Sequence, residues 1–272
     1  MGTRHPPPGT FRGVMALSYS SHGRLIAMMT AGNERNRYLP EVLEHLALWV
    51  DGIVAVDDGS VDGTGDFLAR FPKVLDVVRN PQPVLPVNES VLRAMLWSAA
   101  VKTQPEWIVA VDADEIFEDR VAIELPWLLR HADFEVIAFR IFDFWGTRNH
   151  YRVDGAWNPW PRFSPLVVRY QEAREYHFPA LEIHCGRVPW ECRRSAFTYY
   201  ADVRVRHLGW ANQADHLKKY LFYREKDIRM YGRPTDHTES ILAPASSVRL
   251  EAWSDAPPLS FAPDVQTRGA MP

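Results

Sequence analysis

Cysteine is scarce: Cys185 and Cys192 are the only two in 272 residues. A chain so poor in thiols has no disulfide framework, and two reduced thiols in a cytoplasmic protein are the expectation, with a single bridge as the alternative. His184 stands next to Cys185, but a zinc site built from Cys185, Cys192 and His184 lacks a fourth ligand at a suitable spacing. No apolar run approaches the ~20 residues of a membrane-spanning helix, and the N-terminal stretch lacks the apolar core of a signal peptide. Charge of one sign is also missing. Thirty-one Lys and Arg face 34 Asp and Glu, a net charge of −3, so there is no electrostatic ground for a nucleic-acid or anionic-membrane partner. Neither G-x-G-x-x-G nor G-x-x-x-x-G-K-[ST] occurs, which removes the commonest nucleotide-binding loops. Internal repeats and heptads are absent as well.

What is present is enough for a core. Hydrophobic residues make up 46% of the chain, which suits one sizeable domain with or without an appendage. Residues 1–23, with Pro6-Pro7-Pro8, read as a flexible lead-in, and residues 232–272, with Pro257-Pro258, as a tail partly disordered or draped on the surface. Between them strand-like and helical patterns alternate. The strands are Leu25–Thr30, Ile53–Val56, Val74–Val78, Trp107–Val111 and Val136–Phe142. Helical spacing covers Tyr38–Trp49, the stretch from Asp62 to Phe71, the stretch from Asn88 to Lys102, and Leu125–Arg130. Such alternation predicts a mostly parallel α/β sheet, with residues 24–142 as its ligand-binding half. Residues 143–231 form the second half of the same domain. Their first part is dense in aromatics, Arg and Pro, and reads as a lid or an antiparallel addition. Val203–Leu208 is a last strand, and a helix follows from about Gln213 to Arg229.

Two strands end in carboxylates. Ile53-Val54-Ala55-Val56 runs into Asp57-Asp58-Gly59-Ser60, and Trp107-Ile108-Val109-Ala110-Val111 runs into Asp112-Ala113-Asp114-Glu115. Parallel sheets hold their ligands at the carboxyl ends of their strands, so both acidic ends should open on one crevice. Concentrated negative charge there calls for a cation. In an extended segment Asp112 and Asp114 point to the same side, where both reach one hard divalent ion; the plainer alternative is a cap for the helix that follows. Asp62 and Thr64 read mainly as turn and cap residues. His207, in Val205-Arg206-His207-Leu208-Gly209-Trp210, ends the last strand and is either structural or aimed at the same ion.

The ordered set resembles a known family. Thr30–Asn36 after the first strand, Val56–Thr64 after the second and Val111–Glu115 after the fourth are similar in order and spacing to the family-two glycosyltransferases of the GT-A fold. His207-Leu208-Gly209-Trp210, followed by a helix with Lys218, Lys219, Tyr220, Tyr223 and Arg224, looks like that of bacterial members. The resemblance implies a Rossmann-like α/β fold, a nucleoside diphosphate sugar donor and inversion at the anomeric carbon. The expected donors carry UDP or dTDP rather than GDP, and the acceptor is a sugar or secondary-metabolite hydroxyl. By the same resemblance, Thr30, Asn33 and Glu34 would line the nucleoside pocket. Asp57 or Asp58 would bind the base or ribose, and Arg93 the base or diphosphate. Asp112 and Asp114 match the family's D-x-D, with Asp114 the direct ligand of Mg²⁺ or Mn²⁺ and His207 completing its shell.

The base that activates the acceptor is open between Asp143 and Glu182, with Glu191 and Asp154 behind them. Trp145, Trp157 and Trp160 are candidates to stack on sugar faces, and an oligomer is compatible with all of this. Two rival functions remain: a nucleotidyltransferase, and a non-catalytic domain that only binds a sugar nucleotide or scaffolds an assembly.

Overall fold

The computed structural model describes residues 23–255, so the lead-in up to residue 22 and the tail from residue 256 lie outside the described residues. The strands are β1 (Leu25–Ala31), β2 (Gly52–Asp58), β3 (Val74–Asn80), β4 (Trp107–Ala110), β5 (Glu115–Phe117), β6 (Val136–Asp143), β7 (His150–Arg152), β8 (Ser164–Arg169), β9 (Thr198–His207) and β10 (Leu250–Ala252). The helices are α1 (Leu39–Leu46), α2 (Thr64–Arg70), α3 (Glu89–Val101), α4 (Val121–Arg130), α5 (Trp190–Arg193), α6 (Ala214–Tyr231) and α7 (Asp236–Glu239). Eight strands form one sheet in the order β3-β2-β1-β4-β8-β6-β9-β5, and β10 pairs with β7 in a small second sheet.

The parallel half, β3-β2-β1-β4, is the part whose apolar runs were plainest. β1 shows why. Leu25, Ala27 and Met29 face one core with Leu39 and Leu43 of α1, while Ile26 and Met28 face another with Leu92 and Leu96 of α3. A strand buried on both faces needs a continuous apolar run, and β1, β2 and β4 have one. α3 starts where expected: Asn88 is extended and its side chain accepts from the Val91 amide at 3.2 Å. α2 differs. Its cap is Gly63 at φ +86°, and the Asp62 carboxylate instead binds the Thr64 amide and hydroxyl.

Residues 143–200 add the short strands β7 and β8 between long irregular stretches. β8 runs antiparallel between β4 and β6, so the sheet stops being parallel at that point. β9 then pairs parallel with β6 and antiparallel with the three-residue β5. Part of the expected tail is ordered structure too: α7 packs against α6, and Glu251 of β10 pairs with Tyr151 of β7. Among the described residues no helix is long and apolar enough to cross a membrane.

The β5–β9 edge is closed by a buried carboxylate. Glu118, 2% exposed, accepts from the Arg204 amide at 2.9 Å, from Arg204 Nε at 3.0 Å, and from Arg120 Nε and Nη2 at 3.1 and 3.0 Å. Removing one partner of such a cluster leaves buried guanidinium charge uncompensated, at ~3–5 kcal/mol. Glu118→Ala is therefore expected to lower the urea midpoint by that equivalent at an unchanged m-value. A loss under about 1 kcal/mol would mean that the cluster behaves as an ordinary surface pair.

Candidate active site

The register of the sheet assembles the site. β6 and β9 pair Asp143 with His207, and β5 and β9 pair Glu115 with His207. The Leu208 amide donates to the Asp114 carbonyl at 2.8 Å, which ties the turn after β9 to the acidic turn after β4. Residues far apart in the chain thus meet at one strand end. Around them opens a cleft of about 900 Å³ that runs from Thr30, Asn33 and Asp58 past Asp112, Asp114 and His207 to Trp157, Arg162 and His237.

Asp112 and Asp114 do not share one direction. The segment after β4 turns at Ala113-Asp114 instead of continuing extended, and the two carboxylates diverge. Asp112 accepts from Arg93 Nη1 at 2.9 Å and from Arg187 Nε at 2.8 Å, so each of its oxygens holds a guanidinium. Burial opposes its ionised form, but Arg187 and Arg93 outweigh burial and hold its pKa far below the usual carboxylate range. Arg187 also pairs with Glu115 at 2.5 Å, while the other oxygen of Glu115 takes the Asp112 amide.

Asp114 looks the other way. Its Oδ2 lies 3.5 Å from His207 Nε2 and 4.0 Å from Lys219 Nζ. Burial would raise the pKa of Asp114, yet His207 and Lys219 bring it down to about 2. Burial likewise opposes the charge on His207, and Asp114 and Asp143 raise its pKa to about 10. Asp143 Oδ1 stands 2.6 Å from His207 Nδ1. With the ring's Nδ1 proton assigned to that bond, the carboxylate aims Nε2 at Asp114. Gly209 closes this corner: a methyl there would meet Asp114 Oδ2, Lys219 Nζ and His207 Nε2, all within 3 Å.

The end of the cleft nearest β1 is held by loop-to-loop bonds. Asn33, at φ +57°, accepts from the Val61 amide at 2.9 Å, and Thr64 Oγ1 takes the Glu34 amide at 2.8 Å. Thr30 and Glu34 line the cleft beside them. Burial pushes the Glu34 carboxyl up to about 7 against the opposing pull of Arg37. Asp57 and Asp58 separate. Asp58 lines the cleft and pins the Pro-rich loop through Asn80 Nδ2 and the Val84 and Leu85 amides at 2.8–2.9 Å. Asp57 instead turns toward α2, where its carboxylate caps Ser60 at 3.3 Å and lies against Gly65.

Other expected residues fall outside the cleft. Glu182 is drawn to α6, where it binds Lys226 Nζ at 3.0 Å and Arg229 Nη1 at 3.3 Å. Glu191 holds His177, and Asp154 holds Arg152. Of the three tryptophans, Trp157 lines the cleft. Trp145 backs it at a ring distance of 4.6 Å, and Trp160 lies outside against Phe142 and Arg140. Residues that sequence reasoning missed include Arg37, which ties Glu34 to Asp215 of α6 (3.1 Å to Glu34, 2.9 Å to Asp215), and Arg187, which holds Asp112 and Glu115.

The donor set at Asp114 suits a hard divalent cation with two protein ligands. It offers one carboxylate and, once His207 gives up its Nε2 proton, one imidazole nitrogen whose far side is held by a carboxylate, the two meeting beside Gly209. Asp112 does not fit as a direct ligand, because both of its oxygens are engaged by arginine. Among the described residues no group of three or more His, Cys, Asp and Glu is arranged to hold a metal.

The architecture has counterparts among solved structures. Two structures of S. aureus TarS superpose with a TM-score of 0.51 at 15% identity over 81% of this chain. That overlap is 69% of the fragment 1–349 and 42% of the longer TarS chain. The same fragment in complex with UDP-GlcNAc gives a TM-score of 0.49 at 14% identity, over 81% of this chain and 70% of that one. The likeness shows the fold, a mixed α/β sheet flanked by helices. No family model matches the chain. In sequence it is similar to uncharacterised proteins of Mycobacterium tuberculosis and Mycobacterium bovis, each 29% identical over 224 residues and covering 75% of this chain. It spans about half the length of these curated relatives, 51% of each.

Proposed function

We propose that this chain is a glycosyltransferase that moves a sugar from a nucleoside diphosphate to an acceptor hydroxyl, with inversion at the anomeric carbon. The observation that carries the reading is the convergence of Asp114, His207 and Lys219, with Arg93 and Arg187 behind Asp112, at the carboxyl ends of β4 and β9 in an open cleft. Cleavage of the sugar–phosphate bond builds negative charge on the leaving diphosphate, and fixed cations placed there favour the transition state over the ground state. Lys219 lies against the Trp210 ring at 4.5 Å, a placement that orients its ammonium toward Asp114 without a saturated ion pair. Asp143 keeps the His207 ring in place.

The reading includes a resident Mg²⁺ or Mn²⁺ held by Asp114 and His207, which when bound would supply further neutralisation of the diphosphate. Imidazole in the donor set favours Mn²⁺ over Mg²⁺. Thr30, Glu34 and Asp58 form the nucleoside end, and Trp157 with Asn158 and Arg162 the acceptor end.

The test is release of nucleoside diphosphate from a panel of UDP-, dTDP- and GDP-sugars, with and without Mn²⁺, beginning with UDP-GlcNAc. The expected result is metal-stimulated release from a uridine or thymidine donor. Pyrophosphate from a nucleoside triphosphate would point instead to nucleotidyl transfer, and donor binding without turnover to a binding domain.

A further inference from the structure

The cleft's carboxylates are already committed. Glu34 and Asp215 hold Arg37, Glu89 and Asp112 hold Arg93, Asp114 and Asp143 flank His207, and Asp58 is spent on the Pro-rich loop. Glu182, drawn aside by Lys226 and Arg229, does not line the cleft. A proton acceptor for the attacking hydroxyl must therefore come from elsewhere, and His184 is placed for it. It lines the cleft, is exposed, and its ring has no hydrogen bond or ion pair among the described residues. Its ring stands parallel to Tyr223, with centroids 6.0 Å apart at 8°. Tyr223 in turn lies within the field of Asp112, Asp114 and Asp143.

The backbone under His184 is unusual. It sits at φ +62°, and Gly186 follows at +86°. A non-glycine residue in the left-handed region persists only where its surroundings enforce it, most often at functional sites. Here the surroundings do enforce it. The Glu89 amide donates to the Glu182 carbonyl at 2.8 Å, the Cys185 amide donates to Glu89 Oε2 at 3.3 Å, and Arg187 is clamped on Asp112. The bend that delivers Arg187 to Asp112 thereby presents His184 to the cleft. The other exposed imidazole lining the cleft, His237, lies flat against Trp157 at 4.3 Å.

We propose that His184 is the general base of the transfer, a proposal that rests on the transferase reading above. The acceptor oxygen bonds to the anomeric carbon while the carbon–oxygen bond to the diphosphate breaks, its electron pair leaving on the phosphate oxygen. The hydroxyl proton passes to the free nitrogen of neutral His184, and the imidazolium returns it to solvent. The charged and titratable groups around the ring are Tyr223 and Asp227 of α6, His237 of α7, and Cys185 and Arg187 on its own loop.

The test compares the full chain with H184G and H184N, both of which tolerate the left-handed backbone. Nucleoside diphosphate release is followed across the donor panel, with water as acceptor where no other is known. In both variants kcat should fall by ~10²–10⁴-fold, with donor Kd and Tm close to wild type. Free imidazole should restore rate in H184G. Wild-type kcat in either variant would overturn the assignment, as would a loss that tracks donor affinity and resists imidazole. If the wild type turns over no donor at all, the transferase reading fails and this assignment with it.

Discussion

Asp114→Asn is expected to lower donor turnover by ~10²–10³-fold or more, the scale of losing one preorganised charge-stabilising group. The amide keeps the shape of the side chain and removes its charge. That charge is available across the working range, because His207 and Lys219 overcome burial and hold the carboxyl at about 2. The substitution has a second consequence. His207 is raised to about 10 against burial by Asp114 first and then Asp143, so without Asp114 its pKa falls.

The sign for stability follows from the raised imidazole. The stabilisation from the His207–Asp114 pair is fully present below the ordinary histidine pKa and fades as pH rises toward 10. The Tm difference between wild type and variant should therefore be larger at pH 6 than at pH 10. The Mn²⁺ dependence of turnover should flatten in the variant. A fully active Asp114→Asn protein would remove both the proposed metal site and the proposed charge stabilisation.

Much of this arrangement could be read from sequence, and the limit was physical. β1, β2 and β4 declared themselves because a strand covered on both faces must be apolar throughout. The Asn88 cap and the acidic strand ends are local in sequence and were legible for the same reason. β5 was not, since three residues carry no period. Nor was the divergence of Asp112 and Asp114: it depends on a turn at Ala113 that Arg93, 19 residues before Asp112, and Arg187, 75 residues after it, help to hold. His207 was singled out, but its coupling to Asp143 comes from parallel pairing across 64 residues of chain. Glu182 looked suitable on spacing alone; the basic face of α6 draws it away. Cross-strand register and long-range ion pairs decide such points, and neither leaves a local trace.

Gly209→Ala should cost turnover nearly as much as loss of a charged group, while leaving the fold in place. Gly209 sits in the turn Leu208–Trp210, and its φ lies outside the left-handed region, so alanine suits the backbone. The cost is steric. The added methyl would stand 2.5 Å from Lys219 Nζ, 2.7 Å from His207 Nε2 and nearer still to Asp114 Oδ2. Lys219 moves easily, but His207 is held by Asp143 and Asp114 is anchored through its carbonyl to Leu208. Relief must then come by spreading the pair apart, and displacement of about 1 Å at such a site costs ~10²-fold in rate. Crowding of ~1–3 kcal/mol is partly offset by the ~0.4–1 kcal/mol that alanine contributes over glycine through the unfolded chain. The expected result is a Tm within a few degrees of wild type, a weakened response to Mn²⁺ and a large fall in kcat. Turnover at the wild-type rate in this variant would mean that Asp114, His207 and Lys219 do not need to converge for the reaction to proceed.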